Sequence, residues 1–339
     1  MQLVDVARFE GLEGLLYRHC ATAGLEIPSQ YIPQLKLAYR QVAEQNCVAL
    51  AKLEELLRAA ASDGLEVLVL PGASLMPLYP DVGCRPMDDI DLLVSPGQMS
   101  AAGTFLRACG FEPVQCHEGL YTNEGLTLDL HTDLVNGDRI QARSSAAHID
   151  MSEVWDNARV QATAELTALT LCLEDALLYT SLHALRHSFR RLTWFVDFHL
   201  LMKAQPDWQV VEHKVRRNNA TKSLHYCLHY LENHLSIPVP RALTTADFPA
   251  LGLVESFLLQ QLSRPRPESE WGEVLWSFSC KGIAGKVSFL REFLFPRPEV
   301  LMQVFPRLPV VLIPLAYGLR AFQLLLRGSR QLGMLAKSR

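Results

Sequence analysis

The sequence lacks the features that would place it in several large classes of protein. It has 32 Lys and Arg against 36 Asp and Glu, a net charge of -4, so it lacks the basic excess of a general nucleic-acid binder. Its eight cysteines lack CxxC or any zinc-like spacing, which indicates reduced thiols in a cytosolic protein. No cationic stretch followed by an apolar core opens the sequence, so we expect no signal peptide. We therefore expect a cytoplasmic protein for which bulk nucleic acid is disfavoured as a partner.

The chain also lacks a long uninterrupted apolar run. The most apolar stretch, LPVVLIPLAYGLRAFQLLL over residues 308–326, is interrupted by Pro314 and Arg320. It therefore falls short of the ~20 apolar residues that a membrane span needs. Two interpretations stay open: a helix that is buried or faces a partner, and an interfacial membrane helix, which the trailing Arg327 and Arg330 favour. The sequence thus predicts a weak membrane or protein contact through residues 308–326.

What is present describes a globular protein with sizeable cores, since 49% of its residues are hydrophobic and 20% are charged. Apolar residues recur at helical spacing from Pro33 to Ala61, which predicts one long amphipathic helix. Strand-like stretches follow, and from Leu173 onward the pattern is that of a helical bundle. We therefore predict an α+β fold in three parts: an N-terminal helical segment over 1–62, a small mixed β-sheet core over 63–150 and a C-terminal α-helical domain over 151–339.

The turn after the first predicted strand has a composition suited to phosphate. The apolar run Val67 to Leu70 predicts a strand, which Pro71 and Gly72 end. Gly72 lets the backbone approach a ligand, Ser74 offers a hydroxyl, and a short helix starting here would present unpaired N–H groups to anionic oxygens. Many turns contain Gly-Ala-Ser, so this stretch alone does not separate a phosphate turn from an ordinary one.

The next predicted strand, DDIDLLV, carries carboxylates within an apolar run. Alternation with a period of two places Asp89 and Asp91 on one face and the apolar residues on the other. Paired carboxylates repel each other, and a divalent cation such as Mg2+ or Mn2+ removes that conflict by taking oxygen ligands. The alternative is a strand at the edge of the sheet, with solvated aspartates that discourage edge pairing.

A third carboxylate lies on a later predicted strand, LTLDLH, where the leucines take one face and Asp129 and His131 take the other. If this strand neighbours the DDIDLLV strand, Asp89, Asp91 and Asp129 converge on one cleft. That convergence is what a two-metal site for phosphoryl or nucleotidyl transfer requires.

Together these stretches resemble the polymerase-beta-type nucleotidyltransferase superfamily, which combines a Gly-Ser turn after a strand, an Asp-x-Asp strand and a third Asp on a following strand. More narrowly, LPGASLMPLYPDVGCRPMDDIDLLV, LTLDLHTDL and LEDALLYTSLHALRHSFRRLTWFVDFHLLM resemble the bacterial family of uncharacterised nucleotidyltransferases with a helical C-terminal part. The resemblance covers roughly residues 35 to 240, and the DID segment with its preceding RPM is the most specific part. It implies that the sheet over 63–150 is a nucleotidyltransferase core.

The resemblance implies a metal-dependent enzyme that moves a nucleoside monophosphate from an NTP, with ATP the first candidate, to an acceptor hydroxyl or phosphate. Asp89 and Asp91 would hold the metals that bridge the triphosphate, and Asp129 would share the metal that activates the acceptor oxygen. The acceptor is open between a small molecule, a peptide and a protein side chain.

The phosphate contacts that the resemblance implies include one departure. Gly72 and Ser74 would cradle the outer phosphates, and Arg85 would neutralise charge as pyrophosphate leaves. Such proteins often place a lysine where this chain has Pro71, so a plausible triphosphate contact is missing. A non-catalytic module that keeps the fold and binds a nucleotide or a partner is therefore the alternative function.

An arginine cluster near a pair of histidines could replace that missing charge. Arg186 and Arg190 share a predicted helix face with His183 and His187, and arginine is well shaped for bidentate phosphate contact. We expect Arg186 and Arg190 to contact the triphosphate from across the cleft. A solvated helix end, or pairing of these arginines with Asp197, is the alternative, and the two histidines could be packed residues or metal ligands.

Overall fold

The computed structural model describes residues 3–137, 141–163, 166–240, 248, 250–262, 271–306 and 309–336. Within these ranges, the strands are β1 (Val67–Val69), β2 (Ile90–Val94), β3 (Glu112–Pro113), β4 (Leu120–Asn123), β5 (Leu126–His131), β6 (Arg159–Ala162) and β7 (Thr167–Thr170). The first α-helices are α1 (Leu3–Glu10), α2 (Glu13–Thr22), α3 (Ile32–Ser62), α4 (Met99–Ala108), α5 (Arg143–Ala146) and α6 (Met151–Asn157). The later ones are α7 (Leu173–Arg186), α8 (Thr193–Lys203), α9 (Trp208–Arg217), α10 (Thr221–His234), α11 (Leu253–Leu262), α12 (Trp271–Ser279), α13 (Gly282–Leu294), α14 (Pro298–Val304) and α15 (Ile313–Ala336).

The strands form one mixed sheet in the order β3-β4-β5-β2-β1-β7-β6. The β2–β5 and β1–β7 pairs are parallel, and the other neighbouring pairs are antiparallel. Because β2 is hydrogen-bonded to β1 on one side and β5 on the other, its aspartates do not protect a sheet edge. The edge-strand alternative for the DDIDLLV stretch is therefore wrong.

One face of the sheet packs against α3 and α4. Leu92 and Val94 of β2 and Leu128 of β5 join a buried cluster with Leu53 of α3 and Leu106 of α4. Side chains of a strand alternate between faces, so the residues between them, Asp91 and Leu93 in β2, point the other way. This arrangement confirms the predicted separation of apolar and acidic faces.

The other face of the sheet packs against the helices that follow it. Leu68 and Leu93 belong to a second, larger core that includes Phe198 of α8 and Tyr226 of α10, both fully buried. Burying side chains of this size contributes about 1.5–3 kcal/mol each. The carboxylates of β2 and β5 therefore lie on the side of the sheet that faces the helical part of the chain.

A buried ion pair joins the sheet to the helices. Arg85 donates to Asp197 of α8 from Nε at 2.8 Å and from Nη2 at 2.7 Å, and the hydroxyl of Tyr79 donates to the same carboxylate at 2.6 Å. Arg85 and Asp197 are 7% and 2% exposed, so both charges depend on this contact. The partner of Asp197 is therefore Arg85, and the alternative in which Asp197 pairs with the 186–191 cluster is wrong.

The structure contains the predicted helices, and its sheet extends beyond residue 150. The long helix expected from Pro33 to Ala61 is α3, and α7 to α10 follow the predicted helical pattern. Strands β6 and β7 lie beyond residue 150, yet β7 pairs with β1 and continues the sheet. The boundary predicted at 150 thus precedes two strands of the sheet, because short strands give a weak sequence signal.

The apolar segment predicted over 308–326 begins at Leu308, which lies outside the described residues, and the rest enters α15. Pro314 is the second residue of α15, where its missing N–H breaks no helical hydrogen bond. Among the described residues, no helix is both long and apolar enough to cross a bilayer.

Candidate active site

A cleft of about 660 Å³ opens between the acidic face of the sheet and the helical part. Its charged lining comprises Asp88, Asp89, Asp91, Asp129, Arg85, Arg143, Arg186, Arg190 and Arg191. The acids come from β2, the residues just before it and β5, whereas most of the arginines lie beyond residue 140. Carboxylates of the sheet therefore face arginines of the helical part of the chain across the cleft.

The parallel pairing of β2 and β5 places Asp91 directly opposite Asp129, and His131 follows two residues later on the same face. His131 Nε2 lies 2.7 Å from Asp91 Oδ1 and 3.4 Å from Asp129 Oδ2. Ligand atoms of these three residues all lie within 4.8 Å of one another. The convergence that the sequence predicted for Asp91 and Asp129 is confirmed in position.

His131 is held between two oxygen acceptors. Its Nδ1 donates to Asn136 Oδ1 at 2.7 Å, and its Nε2 donates to Asp91. Burial lowers the pKa of His131, but the charges of Asp91 and Asp129 outweigh it and raise that pKa overall. No pattern in the sequence singled out Asn136, which lies five residues after His131.

Among the carboxylates of the cleft, Asp91 is the one whose ionised form is most strongly stabilised. Burial would raise its pKa, but His131, with His183 and Arg186, lowers the pKa of Asp91 well below its usual range. The hydroxyl of Tyr179 on α7 also donates to Asp91 Oδ2 at 3.1 Å. Tyr179 precedes His183 by one helical turn, and that spacing of four residues is the signal by which it could have been found.

Asp89 lies in the same cleft but remains open to solvent. Partial burial, followed by the charges of Asp91, Asp129 and Asp88, raises the pKa of Asp89 to about 6. A raised pKa means that a further negative charge is disfavoured here, so the group gains from a nearby cation.

The donor set of Asp91, Asp129 and His131 fits a divalent cation. The two carboxylates suit Mg2+ or Mn2+, and His131 could add a ligand through Nε2 once that nitrogen loses the proton it donates to Asp91. The imidazole is oriented through its second nitrogen by Asn136, the kind of outer contact that metal-binding histidines have. Asp89 adds a carboxylate that is close enough to feel the charges of the other two.

Only part of the predicted phosphate turn, which runs from Gly72 to Ser74, lines this cleft. Gly72 lines the cleft and has φ 142°, a conformation that favours glycine, before the short 3₁₀ helix Ala73–Leu78. Ser74 is buried and lines a small separate cavity beside Leu50 of α3, because the 3₁₀ helix turns it toward that helix. The structure therefore does not bring Ser74 together with the carboxylates.

Arg186 is positioned by two neutral histidines. Its Nη2 lies 3.2 Å from His183 Nδ1, and its Nε donates to His187 Nε2 at 3.2 Å. Burial and Arg186 lower the pKa of His183 to about 3, and burial with the nearby His183 lowers the pKa of His187 well below its usual range. Both rings pack against Trp194, which also lines the cleft and which the sequence did not single out. The two histidines therefore act as hydrogen-bond partners of an arginine.

The other arginines of the cluster differ in their contacts. Arg191 pairs with Asp88, next to the DID strand. Arg190 is exposed and forms no ion pair with any residue that the structure describes, although it lines the cleft. Arg85 also lines the cleft, but two of its nitrogens are taken by Asp197. Arg190 is thus the arginine of this set with the most freedom to bind a ligand.

A second groove of about 670 Å³ lies on the other side of Asp88 and Asp89, which line both spaces. Its walls are the polar side of α3, including Gln41 and Gln45, and the turn between β4 and β5. Lys52 crosses it to pair with Glu124 at 3.5 Å. Asp88 and Asp89 therefore lie between an arginine-lined cleft and a groove that is rich in amide side chains and contains more acidic than basic residues.

A carboxylate cluster on a mixed sheet, facing arginines across a cleft, defines a site suited to a cation and a polyphosphate. The family of uncharacterised nucleotidyltransferases matches residues 1–236, and the chain belongs to that family. Among solved structures, the chain is similar to an antigenic nucleotidyltransferase-like protein from Paracoccidioides brasiliensis, with 15% identity and a TM-score of 0.39. That similarity covers 54% of this chain and 87% of the other, and is too low to define the fold. No curated protein sequence matches the chain.

Proposed function

We propose that this protein is a metal-dependent nucleotidyltransferase, which moves a nucleoside monophosphate from an NTP, ATP first among them, to an acceptor hydroxyl or phosphate. The observation that carries the proposal is the register of β2 and β5, which sets Asp91 opposite Asp129 in a cleft walled by arginines. Family membership supports the same class of reaction.

Asp91 and Asp129 would hold the cation, with Asp89 as a further carboxylate ligand and His131 either beside it or among the ligands. A bound Mg2+ or Mn2+ would supply charge neutralisation for the phosphates and would lower the pKa of an acceptor hydroxyl. Tyr179 and His131 would orient Asp91 through their hydrogen bonds, which fixes the carboxylate without blocking the cleft.

The arginines support a nucleotide in the main cleft. Arg186 is held in place by His183 and His187, so little conformational entropy is lost when it binds phosphate. Arg190 could add a second cation, which would offset the absence of a lysine at Pro71. Gly72 would let the backbone approach the outer phosphates, whereas Ser74 would need to move to contribute.

The second groove supports an acceptor that approaches from the α3 side. It shares Asp88 and Asp89 with the main cleft, so an acceptor oxygen there would lie next to the metal-binding carboxylates. Its amide side chains favour a neutral, hydrogen-bonding acceptor such as a hydroxyl-bearing small molecule or peptide.

The test is incubation with each α-labelled NTP, Mg2+ or Mn2+, and a lysate of the source cells, followed by detection of labelled product. Asp91→Asn should abolish metal-dependent NTP binding in calorimetry and reduce transfer more than about 100-fold, since even outer-shell changes cost 10–100-fold. Asp129→Ala should retain the nucleotide while transfer falls by orders of magnitude. The exposed Asp156→Asn serves as the matched control. Unchanged NTP affinity in Asp91→Asn would refute the metal assignment.

The alternative is a binding module that keeps the fold without transfer, and the presence of Pro71 in the cleft favours it. The same experiment separates the two. Metal-dependent NTP binding that is lost in Asp91→Asn, with no labelled product from any NTP or lysate, would support the module.

A further inference from the structure

Charge is divided unequally along the chain. Residues 281–339 contain ten Lys and Arg and two Glu, a net charge of +8, whereas residues 1–280 contain 22 Lys and Arg and 34 acids, a net charge of -12. The acids are Glu292 and Glu299, and none follows Glu299. Glu292 is turned inward, where it accepts from the backbone N–H groups of Gln141 and Ala142 at 2.9 and 2.7 Å. The C-terminal region is therefore a cationic segment on an acidic protein.

Helix α13 of this region exposes an apolar stripe. Ile283, Val287, Leu290 and Leu294 are 82%, 59%, 38% and 40% exposed, and their spacing of four, three and four residues places them on one helix face. Glu292 anchors the helix to the body, so the stripe is the side left facing solvent. Lys286 and Arg291 stand beside it.

Helix α15 repeats the arrangement. Its exposed apolar residues are Leu315, Leu319, Phe322 and Leu326, again at spacings of four, three and four. Tyr317 donates to the carbonyl of Pro296 at 2.7 Å, and Arg320 donates to that of Phe293 at 3.2 Å. These bonds fix α15 beside the end of α13, so the two stripes belong to one region of the surface.

We propose that the α13 and α15 stripes dock on the surface of an anionic lipid bilayer, with the helices lying in the plane of the interface. Apolar stripes of this length would insert among acyl chains, and the positive charge would attract acidic headgroups. A second copy of the same face would bring two +8 regions together, which electrostatic repulsion disfavours. Binding to nucleic acid would use the charge but leave the apolar stripes in water.

The test is co-sedimentation of the full chain with vesicles of phosphatidylcholine alone and with vesicles containing about one third phosphatidylglycerol. We expect binding to the anionic vesicles, weakened at high salt because surface charges are screened. The double variant Val287→Asp/Phe322→Asp should bind at least about tenfold more weakly, since burying a Val or Phe side chain is worth more than a factor of ten. Its control is Val48→Asp, a helical valine of matched exposure (65%) on α3.

Binding to the anionic vesicles that the double variant loses and the control keeps would support the proposal. Absence of binding, equal binding to both kinds of vesicle, or equal binding by all variants would overturn it. Circular dichroism checks that the variants are folded. Light scattering without vesicles identifies the main competitor, because a dimer broken by the double variant would assign the stripes to a second copy.

Discussion

The body of the protein, meaning the residues up to 280, and the C-terminal region from residue 281 differ in where their charged and apolar side chains lie. In the body, Arg85 and Asp197 are buried and Asp91 is partly buried, each of them has a partner, and the large apolar side chains lie inside. Helices α13 and α15 expose apolar side chains, and every charged residue on them except Glu292 is basic. The family match ends at residue 236, before this region begins. The body thus buries its large apolar side chains internally, whereas α13 and α15 leave theirs exposed.

The largest expected effect tests whether the body depends on its buried charge. Asp197→Ala leaves Arg85 buried without its carboxylate, and removing one partner of a buried pair costs about 3–5 kcal/mol. We expect the free energy of unfolding, measured in urea, to fall by that amount. Tyr79→Phe removes one hydrogen bond to the same carboxylate, so it should cost about 1.5 kcal/mol. A loss below about 1 kcal/mol for Asp197→Ala would show that water already reaches this pair.

This ion pair also shows where sequence reasoning reaches its limit. Arg85 and Asp197 are 112 residues apart, and no local pattern connects them. Arg85 was predicted to neutralise charge as pyrophosphate leaves, and that role stays a prediction. In the structure, its Nε and Nη2 donate to Asp197, which holds the sheet against α8. A sequence shows which charged groups would need a partner if they were buried. Which partner each group has depends on the topology of the fold.

The acidic face of the sheet was predicted because its signal is local. Alternation within β2 and within β5 assigns each side chain to a face without knowledge of the rest of the fold. Placing Asp129 opposite Asp91 required only that the two strands be neighbours. Tyr179 and Asn136 were missed because each reaches the cluster from an element whose position depends on packing. Ser74 was misplaced because the residues after Gly72 form a 3₁₀ helix that turns toward α3.

The next largest effect tests whether the arginines that line the cleft bind a ligand. Replacing Arg186 and Arg190 with Gln removes two cleft cations and should weaken triphosphate binding by about 1–3 kcal/mol more than monophosphate binding. Calorimetry with an NTP and the matching NMP measures the difference. Arg216→Gln, whose charge pairs with Glu212 on the surface of α9, is the control. Equal weakening of both nucleotides would show that these arginines do not distinguish the outer phosphates.

A smaller effect concerns how unfavourable it is to protonate the partly buried His225 in the folded protein. Burial, with His229 and Lys222 nearby, lowers the pKa of His225 to about 4, and its ring stacks on Phe248 at 4.8 Å. In the unfolded chain this pKa is about 6.5. The unfolded state therefore takes up the proton first, so the stability that neutral His225 contributes is complete above about pH 6.5 and is lost as the pH falls toward 4.

The variant His225→Gln cannot titrate, so its stability should depend less on pH. Between about pH 7.5 and pH 5, we expect the loss of unfolding free energy to be smaller than in the parent protein by on the order of 1 kcal/mol, discounted for partial exposure. Urea unfolding at the two pH values measures this. His148→Gln, at an exposed position, is the control. An unchanged difference between the two pH values would show that His225 is accessible to protons in the folded protein.

The smallest expected effect separates the two regions most directly. Phe322 is 59% exposed on α15, and Phe198 is fully buried on α8. Phe322→Asp should change the free energy of unfolding, without lipid, by no more than about 0.5 kcal/mol, since surface substitutions rarely do more. Phe198→Ala should cost about 3–5 kcal/mol, because it leaves a cavity in the core. A large loss in Phe322→Asp would mean that the α15 stripe already packs on the body, and the contrast between the two regions would then fail.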